Sequence, residues 1–238
     1  MNKAHRNWKY ALVFLAFAGV LIWCALVVPG LVARLILVNT AVAFGLVGVG
    51  YASGRPDLFF KRSDGRLPSG SWVCYWPYFA VQYLALFGFR VARWELPVHQ
   101  VDDQIVLGCR LWQGDQSLLN QVDVVLDLTS EFSEVRFLRS KPVYRCLPLL
   151  DNTAPSLEQL QDGVSWIVHH AQTGKVYVHC ALGHSRSALF VAAFWLLEKK
   201  AVSATDAIDK LREIRKGVRL TKSQFFVLQQ FEHTLNVN

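Results

Sequence analysis

The chain has 238 residues and a net charge of +7; 53% of its residues are hydrophobic and 18% charged. Its mean hydropathy of +0.25, beside that many charges, excludes an evenly mixed soluble surface and requires apolar and polar segments to be separated. Residues 1–100 carry 10 Lys and Arg against 3 Asp and Glu, whereas residues 101–238 carry 15 of each. The excess charge therefore borders the apolar segments, which fits membrane topology and anionic headgroups and argues against nucleic acid as a partner. Cys24, Cys74, Cys109, Cys146 and Cys180 are odd in number and lack a CxxC pair. Neither a disulfide framework nor a metal site is indicated, and a reducing compartment suits them.

In chain order, residues 10–33 and 35–54 are two uncharged runs separated by Arg34, with Pro29 and Gly30 between them for a turn. Each supplies the roughly 20 apolar residues that cross a hydrocarbon core of about 30 Å. Residues 1–54 therefore read as a membrane anchor of two transmembrane helices, about 10–28 and 35–51. A cleaved signal peptide fits less well, because the first run is longer than an h-region. Residues 55–99 form a basic linker containing an uncharged stretch, 71–89, rich in Trp and Tyr. That aromatic density predicts a helix at the headgroup interface rather than a third span. With two spans the inner side receives Lys3, Arg6, Lys9, Arg55, Lys61, Arg62, Arg66, Arg90 and Arg93 against Arg34 outside. A third span would move Arg90 and Arg93 outside and weaken that asymmetry. Both termini are thus expected in the cytoplasm, in an integral protein of the inner or plasma membrane.

Residues 100–238 read as one α/β domain, a central sheet flanked by helices. Strands are expected at 104–111, 122–128, 144–150 and 175–179, the second so continuous in Val and Leu that both its faces must be buried. A helix opens at Pro155 and Ser156 and runs to about 171, and three more cover 187–199, 203–216 and 221–235. The second of these three starts on a capping-box pattern at Ser203, and Gly217 is placed to cap its end.

The chemistry gathers at His179, Cys180, Ala181, Leu182, Gly183, His184, Ser185, Arg186 and Ser187. A buried strand running into a tight loop and then a helix points backbone N–H groups and a helix N-terminus at one spot, which suits a phosphate dianion. Residues 181–186 would cradle it, with Gly183 allowing the turn and Arg186 gripping two oxygens through its planar fork. The same positive field lowers the thiol pKa of Cys180 and makes it a nucleophile. Ser187 can donate to its sulfur, and His179 is expected to orient the loop through hydrogen bonds. Displacement also needs an acid for the leaving oxygen. Asp151, in a turn-forming segment after the strand 144–150, is the candidate. Deprotonated, it would activate water in the second step. No cofactor is needed.

These residues make residues 100–236 resemble the dual-specificity branch of the cysteine-dependent protein tyrosine phosphatases. The motif matches at Cys180, Arg186 and Ser187, and the acid at Asp151. The resemblance implies a phosphatase-like α/β domain that hydrolyses phosphate monoesters through a cysteinyl-phosphate. It departs from the pattern in its N-terminal membrane part and in lacking a clear glutamine loop to position water, for which Gln224 is a weak candidate. Cys146 reads as a strand residue of the core more than as a trap for oxidised Cys180, and His169 and His170 as helix surface. Family likeness makes phosphotyrosine and phosphoserine or phosphothreonine of proteins the expected substrate; the anchor, with the lipid-directed members of the superfamily, keeps a phospholipid monoester of phosphatidylglycerophosphate or phosphoinositide type as the alternative. A phosphate-binding pseudoenzyme is disfavoured by the joint presence of Cys180, Arg186 and Asp151.

Overall fold

The computed structural model describes residues 6–92 and 95–237, so Lys3 and Arg93 of the charge count lie outside the described residues. Helices α1 (Trp8–Val27) and α2 (Leu31–Ser53) form an antiparallel hairpin. Its turn ends on Gly30, whose φ of +100° lies in a region that glycine adopts without strain. Both helices are long and apolar enough to cross a membrane. They approach closely along small residues: a Cβ on Gly48 would meet Leu15 at 2.8 Å, so a side chain there would push Leu15 out of its place.

Helix α3 (Ser69–Val91) contains the aromatic stretch. It packs against α2, with Tyr78 edge-on to Phe14 and Phe44. Pro77 lies inside α3 and has no N–H for the carbonyl of Val73, four residues earlier. Asn39 of α2 donates its side-chain amide to that carbonyl at 3.3 Å. The polar residue in the middle of α2 and the proline in the middle of α3 thus answer each other. The other face of α3 exposes Trp72, Val73, Trp76, Leu84 and Phe87.

The catalytic region is built on a five-stranded sheet. Its strands are β1 (Val98–Gln100), β2 (Ile105–Cys109), β3 (Val122–Thr129), β4 (Val143–Leu149) and β5 (Lys175–Cys180), in the order β1-β2-β5-β3-β4. Only β1 is antiparallel to its neighbour. The predicted strands are all present, each within about two residues of its expected limits. Strand β1, missed by the sequence reading, is a three-residue edge too short for a period to register. The short helix α4 (Arg136–Arg139) was missed for the same reason.

Helices α5 (Leu157–Ala171), α6 (Arg186–Leu197), α7 (Ala204–Ile214) and α8 (Lys222–Val237) complete the domain. Leu160, Val164, Phe190, Leu211 and Leu228 join the sheet residues Leu107, Leu126 and Val178 in one core. Val106, Leu111, Val125, Phe137 and Tyr177 form the second core. Ser156 caps α5 in a reciprocal box with Gln159, at 3.1 and 3.0 Å. Ser203 caps α7, accepting from the Asp206 N–H at 3.1 Å. Gly217 does not cap the end of α7, contrary to the sequence expectation: the helix stops at Ile214, Arg215 turns extended, and the Gly217 N–H donates to Glu95 instead.

The linker between α2 and α3 is woven into the domain. The Lys61 side chain is fully buried, its ammonium donating to Asp127 Oδ2 (2.6 Å), Thr129 Oγ1 (2.7 Å) and the Thr129 carbonyl (2.8 Å). The Glu134 N–H donates to the Gly65 carbonyl at 2.8 Å. Lys61 is thus an internal ion-pair partner rather than the headgroup-facing charge its sequence context implied.

Candidate active site

Strand β5 ends at Cys180 in the middle of the sheet, and α6 starts six residues later at Arg186. The loop between them lies at the carboxyl end of parallel strands and at a helix N-terminus, where fold and dipole both favour an anion. Gly183 has φ +75°, and a Cβ there would meet the backbone of Gly108 at 2.5 Å. Only glycine satisfies both conditions.

Cys180 is buried at the base of a pocket of about 540 Å³. Ser187 Oγ donates to its sulfur at 3.3 Å. Burial alone would raise the thiol pKa, but the Arg186 charge and the Ser187 hydrogen bonds outweigh it and leave the thiol below its ordinary value. Arg186, entirely buried, is held in a two-pronged pair with Glu131: Nη2 to Oε1 at 2.7 Å and Nη1 to Oε2 at 3.0 Å. Its Nη1 also donates to the Leu149 carbonyl at 2.9 Å. Glu131 carries no sequence signature of its own, lying in the connection between β3 and α4, and the sequence reading did not single it out.

Asp151 follows β4, as expected, and its Oδ1 lies 3.0 Å from Arg186 Nη2. Its side chain is 41% exposed at the pocket mouth. Removal from water raises its pKa above the ordinary carboxylate value; Arg186 opposes the shift and the Glu131 charge adds to it. The pocket therefore brings together a thiol made more acidic and a carboxyl made less acidic. That is the pairing a nucleophile and a general acid need at one pH.

Ala181, Leu182, His184 and Ser185 line the same pocket. The loop is braced from outside by residues that sequence reasoning passed over. Fully buried Arg215 donates to the carbonyls of Leu182 (2.8 Å) and Gly183 (3.1 Å) and pairs with Glu95 at 3.0 Å. Glu95 also holds the His184 imidazole at 2.6 Å. Gln224 is buried and engaged at both ends of its amide: its Oε1 accepts from Ser185 Oγ at 2.7 Å and its Nε2 donates to the Thr153 carbonyl at 2.9 Å. It ties the phosphate loop to the Asp151 segment, a structural role beside the water-positioning one considered from sequence.

His179 departs from expectation. Neither ring nitrogen hydrogen-bonds the phosphate loop. Alternation along β5 turns its side chain to the face opposite Cys180, where it stacks on Tyr177 at 5.1 Å, with Nε2 lying 3.3 Å from Glu134. Cys146 pairs with Asp127 of β3, which in turn pairs with His179 of β5. Two strand spacings, roughly 9–10 Å, separate it from the Cys180 strand, beyond the reach of about 7 Å of a disulfide. Burial pushes its thiol up to about 12. His169 and His170 lie near the end of α5, away from the pocket.

Asp127, Glu134 and His179 are close enough together to hold a metal ion. The Lys61 ammonium already occupies the cation's place beside Asp127, so the donor set does not fit a resident metal.

One side of the pocket comes from α3, through Gln82, Ala85, Leu86 and Phe89 with Phe132 beside them; Asn152, Gly217 and Arg219 complete the lining. The α3 wall lies outside the part of the chain that carries the phosphatase motif.

The dual specificity phosphatase catalytic domain matches residues 112–234. The human phosphatidylglycerophosphatase and protein-tyrosine phosphatase 1 is 32% identical over 146 residues, covering 56% of this chain and 72% of the relative. The phosphatidylglycerophosphate phosphatase PTPMT2 of Arabidopsis thaliana is 29% identical over 195 residues, covering 77% and 82%. Among solved structures, PTPMT1 in complex with PI(5)P superposes with a TM-score of 0.55 at 25% identity, covering 60% of this chain and 98% of that one. With the cysteine loop and the mixed sheet described above, these likenesses leave one assignment: the chain belongs to the dual specificity phosphatase family and is a cysteine-dependent phosphatase.

Proposed function

We propose that this enzyme hydrolyses the terminal phosphomonoester of a membrane phospholipid, of the phosphatidylglycerophosphate class, while held at the bilayer by α1 and α2. The observation that carries the proposal is the α3 wall. A helix whose outer face exposes Trp72, Trp76 and Leu84 places Ala85, Leu86 and Phe89 along the entrance to Cys180. A phosphate reaching the loop along that wall has apolar surface beside it, where a diacylglycerol-type moiety gains burial and a hydrated peptide gains little. The names of the human and Arabidopsis relatives point the same way. The basic residues around α1 and the linker favour a cytoplasmic catalytic domain.

In the proposed reaction the Cys180 thiolate attacks phosphorus, and charge spreading onto the equatorial oxygens is met by Arg186 and the loop N–H groups. Glu131 fixes the guanidinium, so its fork is set before substrate arrives. The incoming phosphate takes the guanidinium edge that Asp151 now shares, freeing the carboxyl to protonate the leaving alkoxide. Ser187 steadies the sulfur as the cysteinyl-phosphate forms, and Asp151, now ionised, takes a proton from the attacking water.

The test uses the full chain in phosphatidylcholine vesicles. Vesicle-borne phosphatidylglycerophosphate is expected to be hydrolysed with a kcat/KM at least about tenfold above that of a phosphotyrosine peptide, which corresponds to about 1.4 kcal/mol of discrimination. Ala85→Glu, which sets a charge on the apolar wall, is expected to reduce lipid turnover severalfold more than peptide turnover. Faster turnover of the peptide, with equal sensitivity of both substrates to Ala85→Glu, would return the phosphoprotein reading.

A further inference from the structure

The segment carrying Asp151 is seated by the N-terminal helices as well as by the catalytic domain. Leu150 is buried, 2% exposed, in the apolar cluster that contains Val47 and Tyr51 of α2, Phe59 of the linker and Tyr78 of α3. The next two residues leave that cluster for the pocket, which both Asp151 and Asn152 line. Asn152 adopts φ +54°, a left-handed backbone that asparagine takes up more readily than most residues with a side chain and that contacts hold here. One such fixing contact comes from far away in sequence: Asn7 donates its side-chain amide to the Asn152 carbonyl at 3.3 Å.

Asn7 is the N-cap of α1. Its Oδ1 accepts from the Tyr10 N–H at 3.4 Å, and its own backbone N–H donates to the Tyr51 carbonyl at 3.1 Å. A single residue therefore closes the open end of the hairpin and reaches the catalytic acid's neighbour. On the opposite flank, Gln224 of α8 holds the Thr153 carbonyl. The four residues 150–153 are thus clasped between the hairpin and α8, with Asp151 the one whose side chain is left to face Arg186.

We propose that Asn7 and Leu150 are positioning residues for the general acid, so that proton transfer by Asp151 depends on the hairpin being folded against the catalytic domain. The proposal rests on the reading of Asp151 as the acid and is independent of whether the substrate is a lipid or a protein. It has a chemical signature. A displaced acid slows esters with poor leaving groups and spares those whose leaving group needs little protonation, whereas loosened folding slows all esters alike.

The experiment measures kcat for p-nitrophenyl phosphate and for phenyl phosphate with the full chain in detergent micelles, across three variants. Asp151→Asn sets the scale: the ratio of p-nitrophenyl to phenyl turnover should rise by about 10²-fold or more, in line with the usual contribution of general acid catalysis. Asn7→Ser keeps an oxygen for the helix cap, adds no charge and is too short to reach Asn152; its ratio should rise by about threefold or more. Leu150→Ala empties part of the seat without touching a polar group, and its ratio should rise by about tenfold. A raised ratio in Asn7→Ser or Leu150→Ala supports the seat. If Asp151→Asn raises the ratio and neither of the others does, the seat is overturned while the acid stands. If Asp151→Asn leaves the ratio unchanged, the acid reading falls and the seat with it.

Discussion

Replacing Lys61 with methionine will destabilise the full chain by about 3–5 kcal/mol, because it strips the partner from a carboxylate with no access to water. Asp127 is fully buried, and its pKa is kept well below the ordinary value although burial pushes it up; the Lys61 charge, then His179, outweigh that cost. In the native chain this depressed pKa stabilises the fold above the unfolded carboxylate pKa of about 3.9, and that contribution is lost only as pH falls through the lower folded value. Without Lys61 the sign reverses. Asp127 is then a buried carboxyl whose folded pKa exceeds the unfolded one, so the variant is least impaired in acid and its deficit grows as pH rises from about 4 to 7. Thermal unfolding in detergent should show a Tm lower by roughly 10 °C at neutral pH, narrowing toward pH 4. A Tm within about 2 °C of the native chain at neutral pH would mean that the pair contributes nothing net. The same reasoning predicts that a fragment starting near residue 97 is a poor proxy for the enzyme, since it lacks both Lys61 and the α3 wall.

Cys180→Ser will lower turnover on the order of 10⁴-fold or more, because a serine hydroxyl in the same cradle stays protonated and is not activated by a neighbouring base. The native enzyme should show a bell-shaped pH dependence. Activity rises with pH as the Cys180 thiol ionises, and its lowered pKa moves that limb to the acid side of an ordinary cysteine. Activity falls with further rise in pH as Asp151 loses the proton it must donate, and its raised pKa moves that limb to the alkaline side of an ordinary carboxylate. The two displacements raise the fraction of enzyme in which the thiol is ionised while the carboxyl still holds its proton. Asp151→Asn should therefore remove the alkaline limb and leave the acid limb in place. A profile whose alkaline limb survives in that variant would assign the limb to another group.

The fold and the centre of the site were legible because their determinants are contiguous. The run of Val and Leu in β3, the strand-loop-helix unit around Cys180 and the Asp151 turn each state their role within a dozen residues. What was not legible depends on residues brought together from afar. Glu131 aligns Arg186 across 55 positions, Arg215 braces Gly183 across 32, and Lys61 reaches Asp127 across 66. None has a local pattern to betray it. Lys61 in particular sits among Arg55, Arg62 and Arg66 and shares their apparent surface character. The aromatic stretch gave its helix correctly, but hydropathy cannot say that one edge of α3 would line a catalytic pocket. His179 failed for a simpler reason: two successive residues in a strand cannot both face the loop.

The Lys61 contact also imposes an order of assembly. Ribosomes deliver the chain from its amino end, so the hairpin, the linker and α3 are complete while Asp127 and Thr129 are still unmade. During that interval the Lys61 ammonium has no internal acceptor and must stay hydrated, which keeps the linker from closing. Only when β3 emerges does its acceptor set, one carboxylate, one hydroxyl and one carbonyl, become available. The loop that joins the hairpin to α3 thus waits on a strand that belongs to the other half.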